Sequence, residues 1–308
     1  MDGARHFCAG VRLQKQPQEL EARGQELQLN ILFIGDVFGS AGRRIVREHI
    51  GHVREAHSVE LTIVNAENAA GGFGLTPQIA EELFDLGADV LTMGNHVWDK
   101  KELIDYMNSA REGAAWNSAG SLAQSPAQEI DRPRRVVRPA NFTPGAPGHG
   151  VFEGVTASGV GYAVMQLQGR VFMTPIDDPF RAADALLAGI KAKVIVVDFH
   201  AEATSEKAAL GWHLDGRVTA VLGTHTHVPT ADERILHHGT AYQTDVGMSG
   251  PYDSIIGVEK DLVLHKFVTG MPGKFEAAKG NPKMCAALVT CDPETGRASR
   301  IQRIMLGE

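Results

Sequence analysis

Residues 29–42 read LNILFIGDVFGSAG. The stretch Leu29–Gly35 is an almost unbroken apolar run of strand length, and such a run reads as a strand buried on both faces. It stops on Gly-Asp, and a helical stretch follows from about Gly42 to His57. The same unit recurs along the chain. LTIVN (Leu61–Asn65), ADVLTMG (Ala88–Gly94), YAVMQLQ (Tyr162–Gln168), KVIVVDF (Lys193–Phe199) and VTAVLG (Val218–Gly223) read as further buried strands. Helical stretches are expected near 77–86, 101–108, 179–192 and 205–214. Strands alternating with helices define an α/β fold with covered sheets. After Val228 the pattern changes to shorter strands, with His237–Gly239 as a turn. MCAALVTCD and SRIQRIML close the chain as an antiparallel pair. No internal repeat or linker divides residues 29–308, which are read as one domain. Residues 1–28 are a polar extension, mobile or the product of an upstream start codon, with no catalytic role. Residues 109–134, rich in Ala, Ser, Gly and Pro, are an insertion, flexible or acting as a lid.

Composition narrows the class. Of 308 residues, 43% are apolar and 22% charged, as in ordinary globular proteins. Asp and Glu number 37 against 30 Lys and Arg, a formal charge of −7, which argues against bulk attraction to nucleic acid or an anionic membrane. No apolar run approaches the roughly 18 residues of a membrane span, and the N-terminus lacks the apolar stretch of a signal peptide. Cys8, Cys285 and Cys291 form no CxxC pair and read as reduced thiols. A soluble, cytoplasmic protein is expected, with neither a stable nucleic-acid partner nor a membrane.

The chemistry lies where the strands end, the place at which α/β folds bind ligands. The first strand delivers Asp36, the second Glu67 and Asn68, and the third Asn95 and His96. KVIVVDF runs into His200, and VTAVLG into His225 and His227. Each alone has an ordinary reading, an N-cap for the Asp or a hydrogen-bonded structural role for a His. Five strand ends carrying such groups are harder to assign to capping. Beside His96, two carboxylates, two carboxamides and three imidazoles, without a thiolate, make an oxygen–nitrogen donor set that suits Mn, Fe or Zn. Seven donors are too many for one tetrahedral ion and suit two.

GDVFG, NAEN, GNHVWD, FHAEAT and GTHTH, in this order, resemble the motif series of calcineurin-like metallophosphoesterases. Phe38 stands where that series has its first-motif His, and Glu67 where it has a bridging Asp. With ENAAGGFGLT, RPANF, DFHAEATSEK and TDVGMSGPYD, these departures resemble the narrower YmdB-like branch over roughly residues 29–306. The resemblance implies a four-layer α/β/β/α sandwich with a binuclear metal centre. Asp36, Asn68 and His227 would hold one divalent ion, and Asn95, His200 and His225 the other, with Glu67 bridging. Asn68 would fill the role left empty by Phe38, and His96 would be the proton donor. Two ions, Fe or Mn before Zn, and a bridging hydroxide would then hydrolyse small cyclic nucleotides, 2′,3′-cyclic ones such as 2′,3′-cAMP included. The expected partners are such a nucleotide or another phosphodiester, and further copies of the chain. Two divalent ions, offset by two carboxylates and a hydroxide, leave about +1, so an acidic chain can hold a cationic pocket.

Other features have plainer readings. The glycines of GDVFGSAG lack P-loop or dinucleotide spacing and read as a tight turn presenting Asp36. Asp198 either orients His200 or is a solvated or helix-facing side chain. Arg138 and Asn141 either contact substrate or form a surface turn. His213, His237, His238 and His265 read as surface residues, and Arg43, Arg44 and Arg47 as a solvated helix face. An amidohydrolase would carry His-x-His near its first strand, whereas here that pair comes late. The alternative function is a nucleotide-binding regulator using the same pocket with little turnover.

Overall fold

In the computed structural model the described residues are 28–109 and 131–307. They form a mixed α/β fold of two sheets and six α-helices. The first sheet is built on β1 (Leu29–Ile34), β2 (Val59–Asn65), β3 (Val90–Thr92) and β4 (Val136–Val137), all parallel. On the other side of β1 runs β12 (Pro282–Cys291), antiparallel, which also pairs β11 (Gly250–Pro251) and β13 (Ala298–Gly307). In the second sheet β6 (Gly161–Gln168), β7 (Val194–His200), β8 (Ala220–Thr224) and β10 (Ala241–Gln243) run parallel. The short β5 (Val151–Val155) and β9 (Arg234–Ile235) form its edges.

Strand alternation explains why these runs are continuously apolar. Successive side chains of a strand point to opposite faces. In β1, Leu29, Ile31 and Phe33 join a core shared with the second sheet. Leu32 and Ile34 join another with α1 (Gly39–Ala56), α2 (Pro77–Asp85) and α3 (Lys101–Asn108). In β7, Val194 and Val196 meet the first sheet. Ile195, Val197 and Phe199 pack with α4 (Pro179–Leu187) and α5 (Thr204–Leu214). Both faces of the central strands are therefore dry, whereas β13 at the border of the first sheet is largely exposed. Helix starts follow local chemistry: Thr76 Oγ1 accepts from Ile79 N ahead of Pro77, and Asp178 accepts from Phe180 N and Arg181 N ahead of Pro179.

The expected strands and first five helices are all present, with ends displaced by a few residues. The turn at His237–Gly239 joins β9 to β10, with Gly239 at φ +96°. One expectation for the last third is corrected: it also contains a helix, α6 (Lys260–Thr269). Only Val263 of that helix is buried, so its sequence shows no apolar stripe. Of the α1 arginines, Arg44 and Arg47 are exposed as expected, and Arg47 pairs with Glu82 of α2. Arg43 is the correction: it is half-buried, donates to the Ala69 carbonyl at 2.5 Å and also pairs with Glu82. The extension 1–28, apart from Gln28, and residues 110–130 of the insertion lie outside the described residues. The insertion's last residues enter a 3₁₀ turn, Arg132–Arg135, where Arg132 pairs with Glu81 and Asp85. Among the described residues no helix is long and apolar enough to cross a membrane. Cys285 and Cys291 are free thiols, and Cys8 lies outside the described residues.

Candidate metal centre

The carboxyl ends of β1, β2, β3, β7 and β8 meet where the two sheets abut. Asp198 ties the sheets together at this point: it accepts from Asn65 Nδ2 at 2.9 Å, Thr92 Oγ1 at 2.5 Å and Thr224 Oγ1 at 2.7 Å. It is fully buried, and burial raises its carboxyl above the usual range. It acts on His200 through Thr224, whose Oγ1 lies 2.9 Å from His200 Nδ1. The other ring nitrogen therefore faces the site.

Around that nitrogen, His200 Nε2, stand Glu67 Oε1 at 3.0 Å, Asn95 Oδ1 at 3.0 Å and His225 Nδ1 at 3.1 Å. One N–H cannot serve three partners well. Glu67, His200 and His225 each offer a donor atom within 4.8 Å of the others, a spacing able to hold a metal ion. The strand ends impose this approach: a Cβ at Gly94 would overlap Glu67 Oε2 and the His200 ring.

A second group lies beside it. His227 Nδ1 is 2.8 Å from the Ile256 carbonyl, which can only accept, so that nitrogen carries the proton. Burial lowers the His227 pKa, leaving Nε2 as a bare lone pair. It faces Asn68 Oδ1 at 3.3 Å, and Asn68 is oriented by its own Nδ2 donating to the Gly72 carbonyl at 2.9 Å. Asp36 Oδ1 lies 4.0 Å from the same nitrogen and is buried without a hydrogen-bond partner. Two lone-pair atoms facing each other without a proton, His227 Nε2 and Asn68 Oδ1, beside a buried carboxylate oxygen with no partner, fit a bound cation.

The electrostatics follow from burying acids with imidazoles. Burial holds Asp36 well above the usual carboxylate range; His200 opposes this, while Asp245, Glu67 and Asp198 add to it. Burial also pushes Glu67 upward, but His200, with His96 and His225, outweighs it and draws it down to about 2. For His200, burial is outweighed by Glu67, Asp36 and Asp198, giving about 9. Burial and the His200 charge push His225 down to about 3.

His96 sits at the rim. Its N–H donates to Glu67 Oε2 at 3.3 Å, its Nδ1 lies 2.9 Å from Asp99 Oδ2, and Phe73 packs edge-on at 5.0 Å between centroids. The structure thus brings all eight expected residues to one place. Arg138 and Asn141 stand apart: Arg138 is spent on carbonyls of residues 139 and 146–148, and Asn141 on Gln168 and Asp177. His213, His237, His238 and His265 are exposed. Sequence reasoning missed Asp99, Thr224, Glu202, whose Oε2 lies 3.2 Å from His225 Nε2, and Asp245 beneath the His-x-His turn. All four lie inside or beside the motifs quoted above, which was the available signal.

A family model described as YmdB-like protein matches residues 32–113 and 123–304, and the chain belongs to the YmdB-like family. It is 46% identical over 282 residues to the 2′,3′-cyclic-nucleotide 2′-phosphodiesterase of Bacillus subtilis strain 168, covering 91% of this chain and 98% of that one. A crystal structure of a hypothetical protein from Thermus thermophilus superposes with a TM-score of 0.79 at 42% identity, over 91% of this chain and all of that one. A crystal structure described as a novel phosphatase from Mycoplasma pneumoniae gives a TM-score of 0.80 at 31% identity, over 92% and 95% of the two chains. The expectation of a phosphodiesterase-class enzyme agrees with the name the Bacillus relative carries.

Proposed function

We propose that this protein is a binuclear-metal phosphodiesterase that opens 2′,3′-cyclic nucleotides. The observation that carries the reading is the pair of proton-poor contacts: three partners around His200 Nε2, and His227 Nε2 against Asn68 Oδ1. The substrate class rests on the 46% identity to a 2′,3′-cyclic-nucleotide 2′-phosphodiesterase. The fold proposed for it is a four-layer α/β/β/α sandwich, supported by the three core clusters between helices, sheets and helices.

In this reading Asp36, Asn68 and His227 hold one ion, Asn95, His200 and His225 hold the other, and Glu67 spans both. Two divalent cations held there, iron or manganese before zinc, would supply Lewis acidity to the phosphoryl oxygens and lower the pKa of a water. The chain's own part is to leave the metal charge largely uncancelled: once the His200 proton is displaced, Asn68, Asn95, His200, His225 and His227 are neutral donors and only Asp36 and Glu67 offset the ions, so an anionic phosphodiester is attracted. His96 delivers the proton to the departing ribose oxygen, with Asp99 fixing its ring through Nδ1. The test is a panel of 2′,3′-cyclic, 3′,5′-cyclic and linear phosphodiesters with the purified protein. We expect the 2′,3′-cyclic substrates to be opened fastest, at the 2′ ester, leaving the 3′-nucleotide. A stable nucleotide complex without turnover would favour the regulatory alternative.

A further inference from the structure

The turn His225-Thr226-His227 carries two non-glycine residues in the left-handed region, with φ +98° at His225 and +66° at His227. Each such residue is strained and persists only where surrounding structure over-determines it. The residue between them is held from below. Thr226 N and Thr226 Oγ1 both donate to Asp245 Oδ2, at 3.1 and 2.8 Å. The same oxygen receives Lys207 Nζ at 2.6 Å, while Asp245 Oδ1 accepts from Gly247 N at 2.8 Å. Lys207, from α5, and Asp245 are each only 1% exposed at the side chain. Lysine is almost never buried so fully without a reason in its pairing.

We infer that Lys207 is a positioning residue for the metal centre, acting through Asp245 on Thr226 to hold the two histidines at their strained angles. The inference rests on the metal-centre reading above. Neither Lys207 nor Asp245 belongs to the proposed ligand set, and an ammonium close to a cation site opposes cation binding through space. A buried positive charge there is useful only if its geometric effect outweighs that repulsion. The two contributions have opposite signs, which makes them separable.

Mn²⁺ is titrated calorimetrically into the metal-stripped full-length protein, with thermal melting recorded alongside. Lys207→Met is expected to weaken Mn²⁺ binding about 10–100-fold, the usual cost of losing a group that orients a ligand. Adding Thr226→Val to it is expected to cost little more, because both changes cut one chain of contacts. Unchanged or tighter Mn²⁺ binding by Lys207→Met overturns the inference, since charge removal alone would tighten it. If Lys207→Met fails to fold, Thr226→Val alone keeps the ion pair and is expected to weaken Mn²⁺ binding several-fold; unaltered binding there overturns the inference equally. Wild-type protein that binds no Mn²⁺ removes the metal centre and this inference with it. Wild-type binding beside an unaffected variant removes the inference alone.

Discussion

His227 Nε2 lies 3.3 Å from Asn68 Oδ1, and neither atom has a proton to offer the other. The Ile256 carbonyl takes the proton of Nδ1, and the Gly72 carbonyl takes that of the amide. Such a contact is repulsive until a cation occupies it. In the proposed reading Asn68 is the ligand there, while Phe38, at the position of the first-motif His in the calcineurin-like series, packs its ring against His227 at 5.5 Å between centroids. Asn68→Leu is expected to fold, to bind one Mn²⁺ ion tightly instead of two, and to lose most activity; metal analysis of the purified variant checks this.

In the proposed reading Glu67 is the charge both ions share; its Oε1 lies 3.0 Å from His200 Nε2, and its Oε2 accepts from the His96 backbone N–H. Glu67→Gln keeps the shape and removes the charge. The expected result is a loss of at least about 10–100-fold in metal affinity with little change in melting temperature. Two ions still bound with normal turnover would remove the bridging role.

His96 tests the proton-transfer step. A ribose alkoxide needs a proton as it leaves, and such transfer is typically worth about 10²–10⁴-fold. A nitrophenolate does not. His96→Ala should cripple opening of 2′,3′-cAMP by about that factor, cost far less on bis(nitrophenyl) phosphate, and leave metal content unchanged. Asp99→Asn should show the same pattern more weakly. Equal losses on both substrates, with metals retained, would reduce His96 to positioning.

Metal loading should also depend on pH. In the metal-free protein His200 is held at about 9, so its ring is protonated at pH 7, whereas Glu67 near 2 and His225 near 3 are already free of protons. The ion held through His200 must displace that proton. Its apparent affinity should therefore rise with pH, by about tenfold per unit, until about pH 9, and its binding at pH 7 should release a proton. Calorimetry in buffers of different ionisation enthalpy measures that release directly.

Much of this centre was legible because parallel strands deliver their last residues to one edge. Asp36, Glu67, Asn95, His200 and His225 each follow an apolar run, and the alternation of helices and strands places those ends together. What stayed hidden depends on contacts between distant elements. Asp198 reads from sequence as either orienting His200 or facing solvent or a helix, and only the meeting of the two sheets makes it the acceptor for Asn65, Thr92 and Thr224, reaching His200 through the last of these. Asp245 follows β10, a strand of three residues, and its partner Lys207 lies far off in sequence, on α5. Helix α6 was missed because exposed Leu264, Phe267 and Val268 break the apolar stripe that would announce it. Arg138 and Asn141 looked able to meet substrate, yet both are consumed by backbone carbonyls.

In the proposed mechanism hydrolysis depends on two ions held by this one residue set. Turnover of 2′,3′-cAMP is followed while Mn²⁺ is titrated into chelator-stripped protein, with bound metal counted at each point. Stripped protein should show no turnover, and activity should saturate at two ions per chain. Hydrolysis that persists after both ions are gone, or full loading with no hydrolysis, would contradict it.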